Sequence, residues 1–167
     1  METRQQLSLS GRKRRPRLVL SIEKLPHLSD EEKAALKEVT GRYPFRASEY
    51  YLNLIDWNDP YDPIRRLIIP HLRELKAWGE LDASKEKAVR KGVQHKYAST
   101  VLLLVNEVCA SYCRYCFRKR LFMNDNDEAT YDIEAGIDYI RHHPEVNNVL
   151  LTGGDPMILP THRIEKI

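Results

Sequence analysis

Two short, uninterrupted apolar runs constrain this chain more than any other feature of it. Val101-Leu-Leu-Leu-Val105 and Asn148-Val-Leu-Leu-Thr152 are too short for buried helices and read as strands buried on both faces. Between them, Tyr131–His143 places Ile133, Ile137 and Ile140 at spacings of four and three, the period of an amphipathic helix, and Pro144 stops it. Strand, loop, helix, strand, loop is the βαβ order. It predicts an α/β fold with parallel strands and a right-handed crossover. Loops that follow parallel strands lie on one face of the sheet, where α/β barrels place their chemistry. Thr161 is expected to cap one further helix, which begins there and is cut off at Ile167.

The residues ahead of the first run read differently. Ser29-Asp-Glu-Glu32 has the Ser-x-x-Glu form of a capping box before Ala34, Ala35, Leu36 and Val39, so a helix is predicted from there to Gly41. Ser48 opens a second helical stretch, which ends before the breaker-rich Asp56–Pro63. Short helical pieces are predicted at Ile64–Ile69 and His71–Trp78, and Ser84–Lys91 reads as a charged surface helix. The first hundred residues therefore predict a helical layer rather than a sheet. The division that follows is a leader over 1–24, a helical region over 25–98 and βα units over 99–167.

With 42% hydrophobic and 31% charged residues, the 167-residue chain has a globular composition, and no apolar run approaches the roughly 18 residues of a membrane span. No membrane partner is expected. The net charge of +3 is uneven: residues 1–17 carry +5 and the other 150 carry −2. The run Arg12-Lys-Arg-Arg-Pro-Arg17 could meet nucleic acid or an acidic partner through phosphate neutralisation. It has no interleaved aromatics for base stacking, and a solvated leader is the simpler reading. No apolar segment of a secretory signal follows it, so a reducing, cytoplasmic setting is expected.

All three cysteines of the chain fall within eight residues, as Cys109-Ala-Ser-Tyr-Cys113-Arg-Tyr-Cys116. An odd, clustered set argues against a disulfide framework and for a metal. Structural zinc wants four ligands, and a fourth would have to be a histidine such as His95 or His142 from outside the loop. A [4Fe–4S] cluster normally takes four cysteines, so three would leave one iron open to another molecule. Downstream, Gly153-Gly-Asp-Pro156 follows the second strand. Alone it would be an ordinary turn.

The spacing Cys-x3-Cys-x2-Cys, with aromatic Tyr115 before the last cysteine, resembles the motif of the radical S-adenosylmethionine enzymes. Gly153-Gly154-Asp155 is similar to that superfamily's second element. The resemblance narrows to the lysine 2,3-aminomutase family through Gln94-His-Lys-Tyr97, the run Cys113-Arg-Tyr-Cys-Phe-Arg-Lys-Arg120 and Leu151-Thr-Gly-Gly-Asp-Pro156. Tyr43-Pro-Phe45 and Asp59-Pro-Tyr-Asp-Pro63 look similar too. It covers roughly residues 25–167, and its most specific part is 94–156.

The resemblance implies an isomerase on a partial TIM-type (β/α)6 barrel, and a reaction. An electron from the cluster, supplied by a donor such as flavodoxin or ferredoxin, cleaves S-adenosylmethionine to a 5′-deoxyadenosyl radical. That radical starts migration of an amino group on an amino acid held by pyridoxal phosphate. By the same carry-over Cys109, Cys113 and Cys116 bind the cluster, and Tyr115 lies against S-adenosylmethionine. Gly153, Gly154 and Asp155 meet its amino end. Arg118 receives carboxylate, although Arg118, Lys119 and Arg120 also fit a solvated basic face. Lys96 and Tyr97 match positions near pyridoxal phosphate.

This sequence departs from the pattern at two points. Thr100 stands where lysine aminomutases carry a phosphate-binding arginine, and Tyr115 replaces a histidine found in many of them. A radical S-adenosylmethionine reaction without pyridoxal phosphate is therefore a second reading, and a non-catalytic metal-binding module a third. Only two βα units fit between Thr100 and Ile167, whereas a complete α/β barrel needs on the order of 200 residues. The chain thus reads as the N-terminal piece of a longer enzyme, inactive alone. Its pyridoxal-binding lysine and substrate-choosing residues are expected downstream of Ile167. Homo-oligomerisation is compatible with the full-length enzyme.

Overall fold

The Ser29 hydroxyl accepts a hydrogen bond from the Glu32 N–H at 3.1 Å, and the Glu32 carboxylate accepts one from the Ser29 N–H at 2.8 Å. Both halves of the predicted capping box are therefore formed, a feature worth about 1 kcal/mol to the helix it opens. The computed structural model describes residues 17–76, 88–123 and 133–167. Apart from Arg17 the basic run lies outside the described residues, as do 77–78, 84–87 and 131–132 among the predicted helical positions.

Helix α1 (Asp30–Arg42) buries Leu36 and Val39. A two-stranded antiparallel ribbon pairs β1 (Leu18–Val19) with β2 (Ala47–Ser48). Ser48 then caps α2 (Glu49–Leu52) by accepting from the Tyr51 N–H. Asp62 caps α3 (Pro63–Ile68) in the same manner, with proline at the first helical position, where its missing N–H costs nothing. Their apolar sides meet in one core around the fully buried Val39, Ala47 and Ile68.

The reading of 84–91 as a helix fails over the part described. Residues Ala88–Arg90 form strand β3, which turns through Lys91-Gly92 into the antiparallel β4 (Val93–Tyr97). Gly92 sits at φ 74°, a backbone state that side chains resist, so a two-residue turn closes here. The first hundred residues consequently contribute a hairpin to the sheet as well as helices.

Strand β4 pairs antiparallel with β5 (Thr100–Asn106), and β5 pairs in parallel with β6 (Asn148–Gly153), giving the order β3-β4-β5-β6. The parallel βαβ expectation holds. Helix α4 (Glu134–Arg141) covers one face of this sheet. Ile133 and Ile140 pack there on Val93, Val101, Leu103 and Val105. Close packing of α4 uses Gly136, where a Cβ would come within 2.8 Å of a Leu103 methyl.

Three expectations about the last elements need correcting. Strand β6 is not buried on both faces: Val149 and Leu150 are exposed, because β6 is paired only on its β5 side among the described residues. Thr161 is the first helical residue of α5 (Thr161–Ile164) and not its cap: Pro160 stands at the cap position, and no side chain makes a capping bond there. The helix expected to run on to Ile167 ends at Ile164 instead. Beyond it the chain tightens into three-residue turns, with the Ile167 N–H donating to the Ile164 carbonyl at 3.1 Å. That turn lets the half-buried Ile167 pack against the core under α4. Among the described residues, no helix is long and apolar enough to cross a membrane.

Candidate cluster and nucleotide site

Parallel pairing sets the C-terminal ends of β5 and β6 side by side, with Asn106 beside Gly153. The cysteine loop leaves the first strand there, and the Gly-Gly-Asp loop leaves the second. The two backbones interlock. The Gly154 N–H donates to the Asn106 carbonyl at 2.6 Å, and the Asp155 N–H donates to the Val108 carbonyl at 3.0 Å. This closeness explains both glycines. A Cβ on Gly153 would collide with the Asn106 carbonyl, and one on Gly154 with the backbone of Val108. Gly153 also adopts φ 106°, whereas Gly154 does not have positive φ. The glycine pair therefore makes room for the neighbouring loop.

The cysteine loop is gripped from the helical side as well. The Ser48 N–H donates to the Ser111 hydroxyl at 2.9 Å in a buried position. The Tyr112 N–H reaches the Arg46 carbonyl and the Arg114 N–H reaches the Leu67 carbonyl, each at 2.8 Å. Arg114, between the second and third cysteines, is buried and gives both Nε and Nη2 to the carboxylate of Glu74. Lys119 pairs with that same carboxylate. Burial alone would raise Glu74, but the hydrogen bonds from Arg114 and Lys119 overrule it and hold the carboxyl below its ordinary value. Loss of solvent lowers Lys119, and Glu74 offsets only part of that.

All three thiols are free; Cys113 is exposed and the other two are half-buried. They share one electrostatic neighbourhood. Burial first, then the charges of Cys116, Asp155 and Cys113, push the Cys109 thiol up to about 11. Burial and Cys116 raise Cys113 too. Among the described residues, no three of His, Cys, Asp and Glu converge as ligands of one metal ion. A multi-iron cluster asks for something else, since each thiolate binds a different iron. The donor set is soft and mutually repelling, with Lys119 in the field of Cys116, and it fits such a group chemically.

Tyr115 and Phe117 project into solvent, while Arg118 is buried with its guanidinium 5.0 Å from the Phe117 ring. Arg118 is thus not part of a solvated basic face. Tyr115 and Cys116 also border an open cleft of about 1170 Å3, whose other borders include Arg42, Arg66 and Arg73. Asp155 accepts from the Met157 N–H at 2.9 Å, fixing the turn after the glycines.

The remaining predicted positions lie elsewhere. Lys96 and Tyr97 are exposed on the β4–β5 hairpin, and Thr100 begins β5, with its hydroxyl 3.4 Å from Asn148 Nδ2. A seven-residue strand, roughly 20 Å long, separates them from the cysteine loop. The structure brings Cys109, Cys113, Cys116 and Gly153–Asp155 to one end of the sheet, sets Tyr115 on the cleft beside Cys116, and leaves Lys96, Tyr97 and Thr100 at the other end.

Three residues of this region were missed by sequence reasoning: Asn106, Arg114 and Glu74. The only signal for Asn106 is a polar side chain ending an apolar run. Arg114 and Glu74 stand 40 positions apart and give none.

No family model matches the chain. The chain is 54% identical over 151 residues to "Putative L-lysine 2,3-aminomutase" of Aquifex aeolicus (strain VF5), covering 89% of this chain and 40% of that protein. It is 36% identical over 154 residues to L-lysine 2,3-aminomutase of Clostridium subterminale, covering 89% of this chain and 37% of the relative. It is also 36% identical over 151 residues to Glutamate 2,3-aminomutase of Clostridioides difficile (strain 630), with 88% and 36% covered. The chain spans about two-fifths of the length of these relatives. Over the part that it matches, it is a homologue of the L-lysine 2,3-aminomutases.

Proposed function

We propose that this chain supplies the cluster- and S-adenosylmethionine-binding half of a radical S-adenosylmethionine aminomutase acting on an amino acid. One observation carries the reading: three thiols and a Gly-Gly-Asp loop meet at the C-terminal ends of two adjacent parallel strands. Cys109, Cys113 and Cys116 hold a [4Fe–4S] cluster. Tyr115, Gly153, Gly154 and Asp155 border the space for S-adenosylmethionine, and Arg118 offers a planar guanidinium for a carboxylate. Strands β5 and β6 with α4 form the opening of a (β/α)6 barrel over 99–167. The helices within 25–98 brace the cysteine loop and its β3–β4 hairpin extends the sheet, while the proposed leader 1–24 is cut short by β1 and by Ile22, which packs into the helical core.

Reductive cleavage of S-adenosylmethionine at the cluster supplies the radical chemistry when both are bound. The chain's own residues do the positioning. Asn106 and Val108 fix the distance between the two loops, Glu74 and Arg114 hold the cysteine loop, and the exposed Cys113 and Tyr115 mark the side from which an electron donor such as flavodoxin or ferredoxin would approach.

Pyridoxal phosphate stands apart. The described residues form no enclosed cradle for it, because Lys96 and Tyr97 are exposed and Thr100 faces Asn148. Thr100, which stands where the lysine aminomutases carry a phosphate-binding arginine, motivates a second reading, a radical S-adenosylmethionine reaction without pyridoxal phosphate. Anaerobic reconstitution with iron and sulfide tests both. A brown [4Fe–4S] protein whose spectrum changes on adding S-adenosylmethionine supports them; stoichiometric zinc with no cluster overturns them.

A further inference from the structure

Asn106 is 4% exposed and ends the strand that feeds the cysteine loop. An asparagine side chain has two N–H donors and one carbonyl acceptor, and each kind is used here. Its Nδ2 donates to the Val108 carbonyl and to the Asp155 carbonyl, each at 2.7 Å. Its Oδ1 accepts from the Val108 N–H at 3.2 Å. One side chain therefore bonds to both loops at once. Its own main-chain carbonyl completes the join by accepting from Gly154.

We infer that Asn106 is a positioning residue that sets the Gly-Gly-Asp loop against the cysteine loop and so governs affinity for S-adenosylmethionine. The inference rests on the proposed cluster and S-adenosylmethionine role. A cluster held by three thiols of one loop depends on that loop alone. A molecule bound by the cluster and by the Gly-Gly-Asp backbone depends on the distance between two loops. Removing the amide leaves the part-buried Asp155 carbonyl without this donor and the Val108 carbonyl with only the Asp155 N–H, which loosens the join between the loops while keeping the cysteines.

Asn106→Ala and Asn106→Asp separate these roles in the full chain. Aspartate keeps the size and the Oδ1 acceptor but turns an oxygen toward two carbonyls. Both variants, reconstituted anaerobically, are expected to bind iron and sulfide as wild type does. Titration with S-adenosylmethionine, followed by the electron paramagnetic resonance of the reduced cluster, should show affinity about tenfold weaker. Unchanged affinity in either variant overturns the inference. So does failure of both to load the cluster, or to fold, because Asn106 would then serve the loop or the fold itself. A wild-type chain that loads no cluster removes the proposed function, and this inference with it.

Discussion

Arg114 donates to Glu74 from Nε, at 3.0 and 3.1 Å from its two carboxylate oxygens, and from Nη2 at 2.7 Å. The pair joins the helical layer to the middle of the cysteine loop, and the two side chains are only 4% and 12% exposed. Removing one member of a buried pair costs about 3–5 kcal/mol when it strands the other charge, but Glu74 keeps Lys119 as a partner. Arg114→Ala should therefore lower unfolding free energy by about 2 kcal/mol in urea titrations. Arg114→Lys should recover only part, since an ammonium cannot offer the planar two-point contact. A loss below about 1 kcal/mol would show the pair to be solvent-screened.

The same carboxylate predicts a pH dependence. Glu74 is held below its ordinary pKa in the folded chain, so its contribution is complete above the normal carboxylate range and disappears as pH falls through the depressed value. Stability should therefore fall on acidification, and Glu74→Gln should flatten that part of the profile. Thermal unfolding of both proteins between neutral pH and about pH 3 checks it. Parallel slopes would assign the acid sensitivity to other groups.

Glycines at two places give opposite expectations. Gly154→Ala presses a methyl against the Val108 backbone, which cannot yield without parting the loops, so it should destabilise the chain by more than about 2 kcal/mol. Gly41 lies in the last turn of α1, and nothing stands within 4 Å of an added Cβ. Gly41→Ala should stabilise by about 0.5 kcal/mol through helix propensity. Denaturant midpoints for the two variants moving in the same direction would contradict this account.

What was legible in the chain follows from how local each signal is. The Ser29–Glu32 box, the isoleucine period of α4 and the apolar runs of β5 and β6 are set by neighbours within a few residues, and they formed where expected. The β3–β4 hairpin was masked by the charged residues around Lys85–Lys91, although Lys91-Gly92 between Val89 and Val93 was its signal. The burial of β6 was misjudged because an apolar run does not reveal how many neighbours a strand has. The grip of Glu74 on Arg114 and the span of Asn106 between two loops depend on tertiary approach. No spacing encodes them.

The electrostatic crowding of the thiols can be read directly in the metal-free chain. Cys109 is raised to about 11 by burial, with Cys116, Asp155 and Cys113 adding to it. Alkylating reagents attack the thiolate, so Cys109 should react slowly near neutrality and reach half its maximal rate at about pH 11. Mass spectrometry of the Cys109 peptide after timed exposure to iodoacetamide follows this one residue. Asp155→Asn removes one of the raising charges and should move the midpoint downward. A wild-type midpoint in the ordinary thiol range would mean that Cys109 is more open to solvent than this loop makes it, since burial is the larger cause of the rise.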